Sequence, residues 1–88
     1  MKGNRVIVRA YGGEPLVRRV WEVEPGVVYI TDDVHLQRLL MGDETVPPAP
    51  FPQADVFKYR PKIAGELEQC FKQKQKIDWE RLELFETI

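Results

Sequence analysis

The residues best suited to chemistry in this chain are its one histidine, His35, and its one cysteine, Cys70. His35 follows Asp32 by three residues, so one helical turn would bring the two side chains together as weak metal ligands. Metal sites in proteins need three or four ligands, so the two ligands that one helical turn brings together do not make a site. Nothing in the sequence around Cys70 would activate its thiol, which suits a small buried position on a helix. We therefore predict a non-enzymatic protein with no metal site, no catalytic residues and no cofactor.

A second pattern combines arginine with tyrosine in the first third of the chain. On a sheet, these side chains would share one face, where arginine can hold phosphates and tyrosine can stack on bases. The same face carries apolar residues such as Ile7, which a C-terminal helix would cover, leaving the arginines to pair with Glu66 or Glu68. Nucleic-acid binding is therefore the alternative hypothesis, and it would use Arg5, Arg9, Tyr11, Arg18 and Tyr29.

Three lysines alternate with glutamines in the segment KQKQK, residues 72–76. If this segment is helical, the lysines spread around the helix axis instead of gathering on one side. That arrangement predicts a solvated helix surface, although two of the three lysines could still contact a phosphate backbone.

Length and composition indicate one small domain, residues 1–88, because 88 residues with 43% hydrophobic content fit a single core. The 13 basic and 14 acidic residues nearly cancel, which provides no overall attraction to nucleic acid or to an anionic membrane. No apolar run approaches the roughly 20 residues of a membrane span, and a lone cysteine cannot form an internal disulfide. These features predict an intracellular, cytoplasmic protein with no membrane partner.

The elements that would position these residues begin with a three-stranded antiparallel meander over residues 5–11, 16–24 and 27–31. The segments are rich in β-branched and aromatic residues, and Gly12-Gly13 and Pro25-Gly26 supply the reversals. Pairing Tyr11 with Leu16, and Glu24 with Val27, would give one core face. A bulge at the Pro-Gly turn would shift the second pairing by one. The predicted face contains Val6, Val8, Ala10, Val17, Trp21, Val23, Val28 and Ile30.

A short helix over residues 32–41 and a fourth short strand over residues 55–59 complete a β-rich region, residues 1–60. Asp32 suits the helix N-cap, and Gly42 suits the left-handed residue after the helix end. Four prolines lie between these elements, at positions 47, 48, 50 and 52. Their PxxP spacing is also found in ligands of proline-binding domains, but no basic residue is near. We interpret the segment as a stiff crossover.

Residues 61–88 are predicted to form a C-terminal helix, with a break near residues 75–78 as one alternative and a terminal strand as another. The apolar stripe of this segment is longer than a small sheet can cover, so the excess must fold back or meet another chain. Buried aromatic residues dominate most interfaces. We therefore predict a protein-interaction module that contacts a protein partner, or a second copy in a homodimer, through Trp79, Leu82, Phe85 and Ile88.

The run FPQADVF, residues 51–57, resembles the closing turn and last strand of SH3-like small barrels, in which a proline precedes one helical turn and a strand. The resemblance covers seven of the 88 residues and lacks the other SH3 sequence marks. It implies an architecture only. The predicted fold is therefore α+β: a small antiparallel sheet or SH3-like partial barrel, one short helix and a C-terminal helix.

Overall fold

The computed structural model describes residues 2–88, which form a five-stranded antiparallel sheet and three α-helices. The strands are β1 (Arg5–Arg9), β2 (Pro15–Glu24), β3 (Val27–Thr31), β4 (Ala49–Pro52) and β5 (Val56–Lys58). The helices are α1 (Asp33–Leu40), α2 (Pro61–Lys72) and α3 (Trp79–Phe85). The strands lie in the order β4-β3-β2-β1-β5. The predicted α+β class and the three-stranded meander are confirmed, but the sheet has five strands rather than four.

The additional strand, β4, lies within the proline segment that was predicted to be a crossover. It pairs with β3 at the edge of the sheet, with Tyr29 opposite Pro50 and Val27 opposite Pro52. Proline is tolerated in an edge strand because its missing N–H is not needed on the open side. The segment is therefore part of the sheet, and a single 3-10 turn, Gln53–Asp55, connects it to β5.

The pairing of β1 with β2 differs from the predicted register by three residues. Leu16 lies opposite Val8 rather than Tyr11, because a 3-10 turn at Tyr11–Gly13 takes these residues out of the ladder. Gly12 and Gly13 adopt the positive φ angles that the sequence predicted for this reversal, 80° and 79°. An odd shift moves alternate side chains to the opposite face. Val17 is accordingly exposed instead of buried.

The predicted pair Glu24–Val27 is present, but a bulge at Trp21 changes the pairing in the middle of β2. On the N-terminal side of the bulge, Val20 lies opposite Ile30. Val20 therefore takes the core position that Trp21 was predicted to fill. Trp21 is half-buried, and the ammonium group of Lys2 lies 4.0 Å from its ring centroid. A bulge at the Pro-Gly turn was the alternative to this pairing, and the bulge that the structure has lies four residues before Pro25.

The apolar core consists of two clusters on opposite faces of the sheet. The sheet core contains Val6, Val8, Val20, Val28, Ile30 and Val56, with Phe51 and Ile88 packed against it. The helix-side core contains Ile7, Phe57 and Leu67, with Tyr59, Ile63, Ala64, Ile77, Trp79 and Leu82 packed against it. Because adjacent residues of β1 enter different clusters, this strand is buried on both faces.

Helix α1 agrees with its prediction to within one residue at each end. Asp32 is the N-cap, and its carboxylate accepts a hydrogen bond of 2.8 Å from the backbone N–H of His35. Gly42 adopts a φ of 88°, the left-handed conformation expected after a helix.

The C-terminal segment forms two helices, so the alternative with a break describes it. Helix α2 ends at Lys72, Lys74 has a φ of 57°, and α3 begins at Trp79 after the N-cap Asp78. After α3 the chain returns to the sheet, where Thr87 forms a bridge to Phe57 on the outer edge of β5. None of the helices within residues 2–88 combines the length and the apolarity that a bilayer span requires.

Candidate interaction surface

Arg9 connects β1 to α3 through Glu83 and to the 3-10 turn before β5 through Asp55. Its Nε donates a hydrogen bond of 2.7 Å to Asp55, and its Nη2 lies 2.6 Å from an oxygen of Glu83. Partial burial alone would lower the pKa of the Arg9 guanidinium, but the hydrogen bonds to Asp55 and Glu83 outweigh it and raise the pKa. Arg9 is therefore charged, and it holds α3 against the end of the sheet.

The indole of Trp79 completes this attachment. Its ring stacks on Phe57 with centroids 5.4 Å apart, and the Arg9 guanidinium lies 5.4 Å from the indole centroid. A cation over an aromatic ring is attracted by the ring's quadrupole. Trp79, the first residue of α3, is thus held by stacking on Phe57 and by its contact with the Arg9 guanidinium.

The four residues predicted to contact a partner occupy two different environments. Trp79 and Leu82 pack against the helix-side core, and Ile88 packs against the sheet core, so all three have contacts within the chain. Phe85 is 70% exposed. Its neighbour Leu84, which the prediction did not include, is 77% exposed. Successive residues of a helix point about 100° apart, so two adjacent apolar residues cannot both face the centre of one core. The adjacent pair Leu84-Phe85 was therefore the sequence feature that indicated apolar exposure on α3.

A groove of about 520 Å³ runs between α2 and α3, and Phe85 forms part of its wall. We call it the α2–α3 groove. Its apolar lining is Ile63, Leu67, Leu82 and Phe85, and its charged lining is Glu66, Asp78, Arg81 and Glu86. Three carboxylates face one guanidinium, and the nearby Arg60 is paired with Glu86 at 3.0 Å. With Glu86 paired, the exposed rim residues are Glu66, Asp78 and Arg81, which leave a small excess of negative charge at the rim of the groove.

The arginine and tyrosine residues of the alternative hypothesis do not form one surface. The shifted register places Arg18 on the opposite face from Arg5 and Arg9, because Arg18 lies opposite Val6 while Arg5 lies opposite Arg19. Ile7 is covered by α2 as the packed interpretation required, but Arg9 pairs with Asp55 and Glu83 rather than with Glu66 or Glu68.

The other members of that set also lie apart. The Arg5 guanidinium stands 5.7 Å from the ring centroid of Tyr59, and Arg18 donates to the backbone oxygen of Val17 at 2.8 Å. Tyr29 is half-buried in β3, whereas Tyr11 is fully exposed in the hairpin turn.

The histidine and its neighbouring acid form a helix cap. The Nδ1 of His35 lies 2.8 and 2.7 Å from the two carboxylate oxygens of Asp32. Hydrogen bonds from the backbone N–H and then from the side chain of His35 lower the pKa of Asp32. Among residues 2–88, no group of three or more potential metal-binding side chains comes together. Cys70 is partly exposed on α2.

Comparison of this chain with protein families, with curated proteins and with solved structures found no match. Function must therefore be inferred from the surfaces described above.

Proposed function

We propose that this protein is a small, non-enzymatic interaction module, an SH3-like partial barrel that binds a segment of another protein in the α2–α3 groove. The observation that carries the proposal is that Phe85, which is 70% exposed, lines a groove with an apolar side, and that the exposed Leu84 is its neighbour on α3. Large exposed apolar side chains next to a concave apolar surface are characteristic of protein-binding sites. The proposal places the protein in the cytoplasm.

The strand arrangement supports the SH3-like part of the proposal. All neighbouring strands are antiparallel, and β5 returns to pair with β1 at the far side of the meander. Pro52 precedes the 3-10 turn and β5, which is the order of features that the FPQADVF run suggested. Architecture of this kind supports many functions, so the site and not the fold carries the functional argument.

Both edges of the sheet are poorly suited to strand addition, which favours the helical surface as the binding site. On β4, Pro50 and Pro52 offer no N–H to an incoming strand. On β5, the Lys58 N–H already donates to the backbone oxygen of Glu86 at 2.6 Å, and Thr87 forms a bridge to Phe57. A partner that added a strand would have to displace the chain's own C-terminal residues.

The charges of the groove indicate which partner it fits. Glu86 is already paired with Arg60, but the exposed carboxylates of Glu66 and Asp78 outnumber Arg81 and would attract lysine or arginine flanking an apolar segment. A symmetric homodimer through this groove would place the same acidic rims opposite each other, which is unfavourable. We therefore assign the groove to a basic amphipathic helix of a different protein.

The test uses two designed helical peptides, one of leucine and lysine and one of leucine and glutamate, titrated against the full chain. We expect the basic peptide to bind more tightly than the acidic one. Phe85→Ala should weaken basic-peptide binding by about thirtyfold, which corresponds to a hot spot of about 2 kcal/mol. Leu40→Ala is the matched control, because Leu40 is exposed on α1 outside the groove.

Two results would overturn the proposal. The first is equal binding of the two peptides, or binding of the basic peptide that Phe85→Ala leaves unchanged. The second is a dimer in sedimentation equilibrium that Phe85→Ala dissociates, because the occupant of the groove would then be a second copy of the chain.

A further inference from the structure

The three lysines of the KQKQK segment lie together in the structure, contrary to the expectation for a continuous helix. Helix α2 ends at Lys72, and the left-handed conformation of Lys74 turns the chain away from the helix axis. Lys72, Lys74 and Lys76 consequently line one cleft. The break in the helix therefore concentrates charges that an unbroken helix would have separated.

This lysine cleft has a volume of about 730 Å³ and lies between the hairpin turn and the connection from α2 to α3. Apart from the lysines, its lining is Gln75 together with the glycines Gly12 and Gly13 and the apolar residues Phe71, Ile77 and Trp79. No carboxylate is among the lining residues that the structure describes. It shares no lining residue with the α2–α3 groove.

The lysines are available for a ligand. In the part of the chain that the structure describes, neither Lys74 nor Lys76 has a carboxylate within 4.0 Å. Lys72 lies 3.0 Å from Glu68, but both side chains are largely exposed, and an exposed pair of this kind is readily replaced by a phosphate. Asp78 and Glu80 border an adjacent depression with Lys76, and the Asp78 carboxylate caps α3.

Two exposed aromatic residues belong to the cleft or to the turn that borders it. Tyr11 precedes Gly12 in the hairpin turn and is fully exposed, and Phe71 is 41% exposed in the cleft wall. A Cβ atom on Gly13 would stand 3.7 Å from the Nε1 atom of Trp79, an ordinary contact distance, so the hairpin turn lies directly beside the indole. The cleft therefore combines three lysines with a partly exposed phenyl ring, and the turn that borders it carries an exposed tyrosine.

We propose that the lysine cleft binds single-stranded nucleic acid. The lysines would contact successive phosphates, while Tyr11 and Phe71 would stack on bases, which is the combination that single-strand binding surfaces use. An acidic polypeptide would satisfy the lysines but would have no use for the aromatic rings. A duplex would supply phosphates, but its base faces are occupied by stacking within the helix.

The test is fluorescence anisotropy of a labelled single-stranded oligothymidine with the full chain at low salt. Lys74→Asn with Lys76→Gln removes two charges, and asparagine tolerates the positive φ at position 74. We expect about tenfold weaker binding, and a log–log salt slope flatter by about 1.4 because two phosphate contacts are lost. The control Arg38→Gln with Lys62→Gln removes the same charge outside the cleft and should change the affinity less than about twofold.

Two further variants are tested. The first distinguishes the contribution of stacking to binding from that of charge, and the second distinguishes the lysine cleft from the α2–α3 groove. Tyr11→Ala should weaken oligothymidine binding by about tenfold without changing the salt slope. Phe85→Ala should leave oligothymidine binding unchanged, because Phe85 lines the α2–α3 groove and not the lysine cleft.

The proposal is overturned if oligothymidine does not bind at low salt, or if the charge variant and its control lose affinity equally. Equal affinity for duplex DNA or for polyglutamate would also overturn it, since stacking on unpaired bases would then contribute nothing.

Discussion

The sheet and the C-terminal helices of this protein differ in how completely they bury their apolar residues. In the sheet, Val8, Val20, Val28, Val56 and Phe57 have no measurable exposure. In α2 and α3, Leu67 is the one residue that falls in the buried class among those the structure describes, while Phe71, Leu84 and Phe85 are exposed. The sheet thus buries most of its apolar side chains, with Val17 and Val23 as exposed exceptions, whereas the helices leave larger apolar side chains exposed.

The difference arises from how each element is covered. Strand β1 has a neighbour on each side, and its two faces pack into the two core clusters. Helices α2 and α3 each pack one side against the helix-side core, and Phe71, Leu84 and Phe85 on these helices are exposed. Binding surfaces are therefore expected on the helices, and the following variants test this division in order of decreasing effect on stability.

The largest effect should come from comparing Phe57→Ala with Phe85→Ala. The two substitutions delete the same atoms, but Phe57 is fully buried and Phe85 is 70% exposed. We expect Phe57→Ala to lower the free energy of unfolding by about 3–5 kcal/mol and Phe85→Ala to change it by less than about 0.5 kcal/mol. Urea denaturation followed by circular dichroism measures both. Similar losses for the two variants would contradict the division between sheet and helices.

The next effect concerns the connection between the two regions. Arg9→Met leaves Asp55 and Glu83 adjacent without their shared cation, and it releases α3 from β1. We expect Arg9→Met to lower the free energy of unfolding by about 1–2 kcal/mol. The loss should be smaller than for a fully buried ion pair, because all three side chains are partly exposed. Amide hydrogen exchange should quicken in α3 before it does in β1. Arg81→Met, a change at an exposed arginine, should leave α3 exchange as it is, and unchanged exchange in Arg9→Met would show that Trp79 alone holds the helix.

Helix α1 contacts the sheet rather than the C-terminal helices, and the N-cap residue Asp32 stabilises its first turn. Asp32→Ala should cost about 1 kcal/mol, because the capping carboxylate is lost. The pKa of Asp32 is lowered in the folded state, so its contribution is present above the unfolded pKa and disappears as pH falls below about 4. The stability difference between Asp32→Ala and the parent chain should therefore shrink in acid. Glu44→Ala is the control, and a difference that stays constant down to pH 2 would contradict the capping role.

The smallest effect is expected at the open edge of the sheet. Pro50→Ala relaxes the unfolded chain and should lower stability by about 0.4–1 kcal/mol. It also restores an N–H on β4, so the variant should self-associate more readily at high protein concentration. Light scattering and urea denaturation measure the two consequences. Binding of the basic peptide should not change, because Pro50 is not part of the α2–α3 groove.

Local signals in the sequence predicted several elements closely. The boundaries of β2 and β3 follow their β-branched residues, and α1 follows its cap Asp32 and the glycine at position 42. The local order of proline, helical turn and strand at residues 52–58 was also anticipated. These features depend on neighbours within a few residues, which is why pattern and propensity were sufficient.

Other features escaped prediction because distant partners decide them. Strand β4 contains two prolines and has no strand propensity of its own, and it is a strand because β3 offers it an edge. The register of β1 against β2 depends on how many residues the turn at Tyr11–Gly13 consumes, which alternation of side chains cannot count. The separation of Arg18 from Arg5 and Arg9 follows from that turn.

The sequence by itself determined that this is a small α+β protein with a three-stranded meander and a capped short helix. It also determined that the helical C-terminal segment has more apolar surface than a small sheet can cover. Only the tertiary structure decided which apolar residues of that excess stay exposed and which lysines share a cleft. The physical reason is that the chain turns after Lys72 and that Arg9 then holds α3 through Glu83 and Trp79. These two features set the position and orientation of α3. Those contacts join residues about 70 positions apart, and no local pattern encodes them.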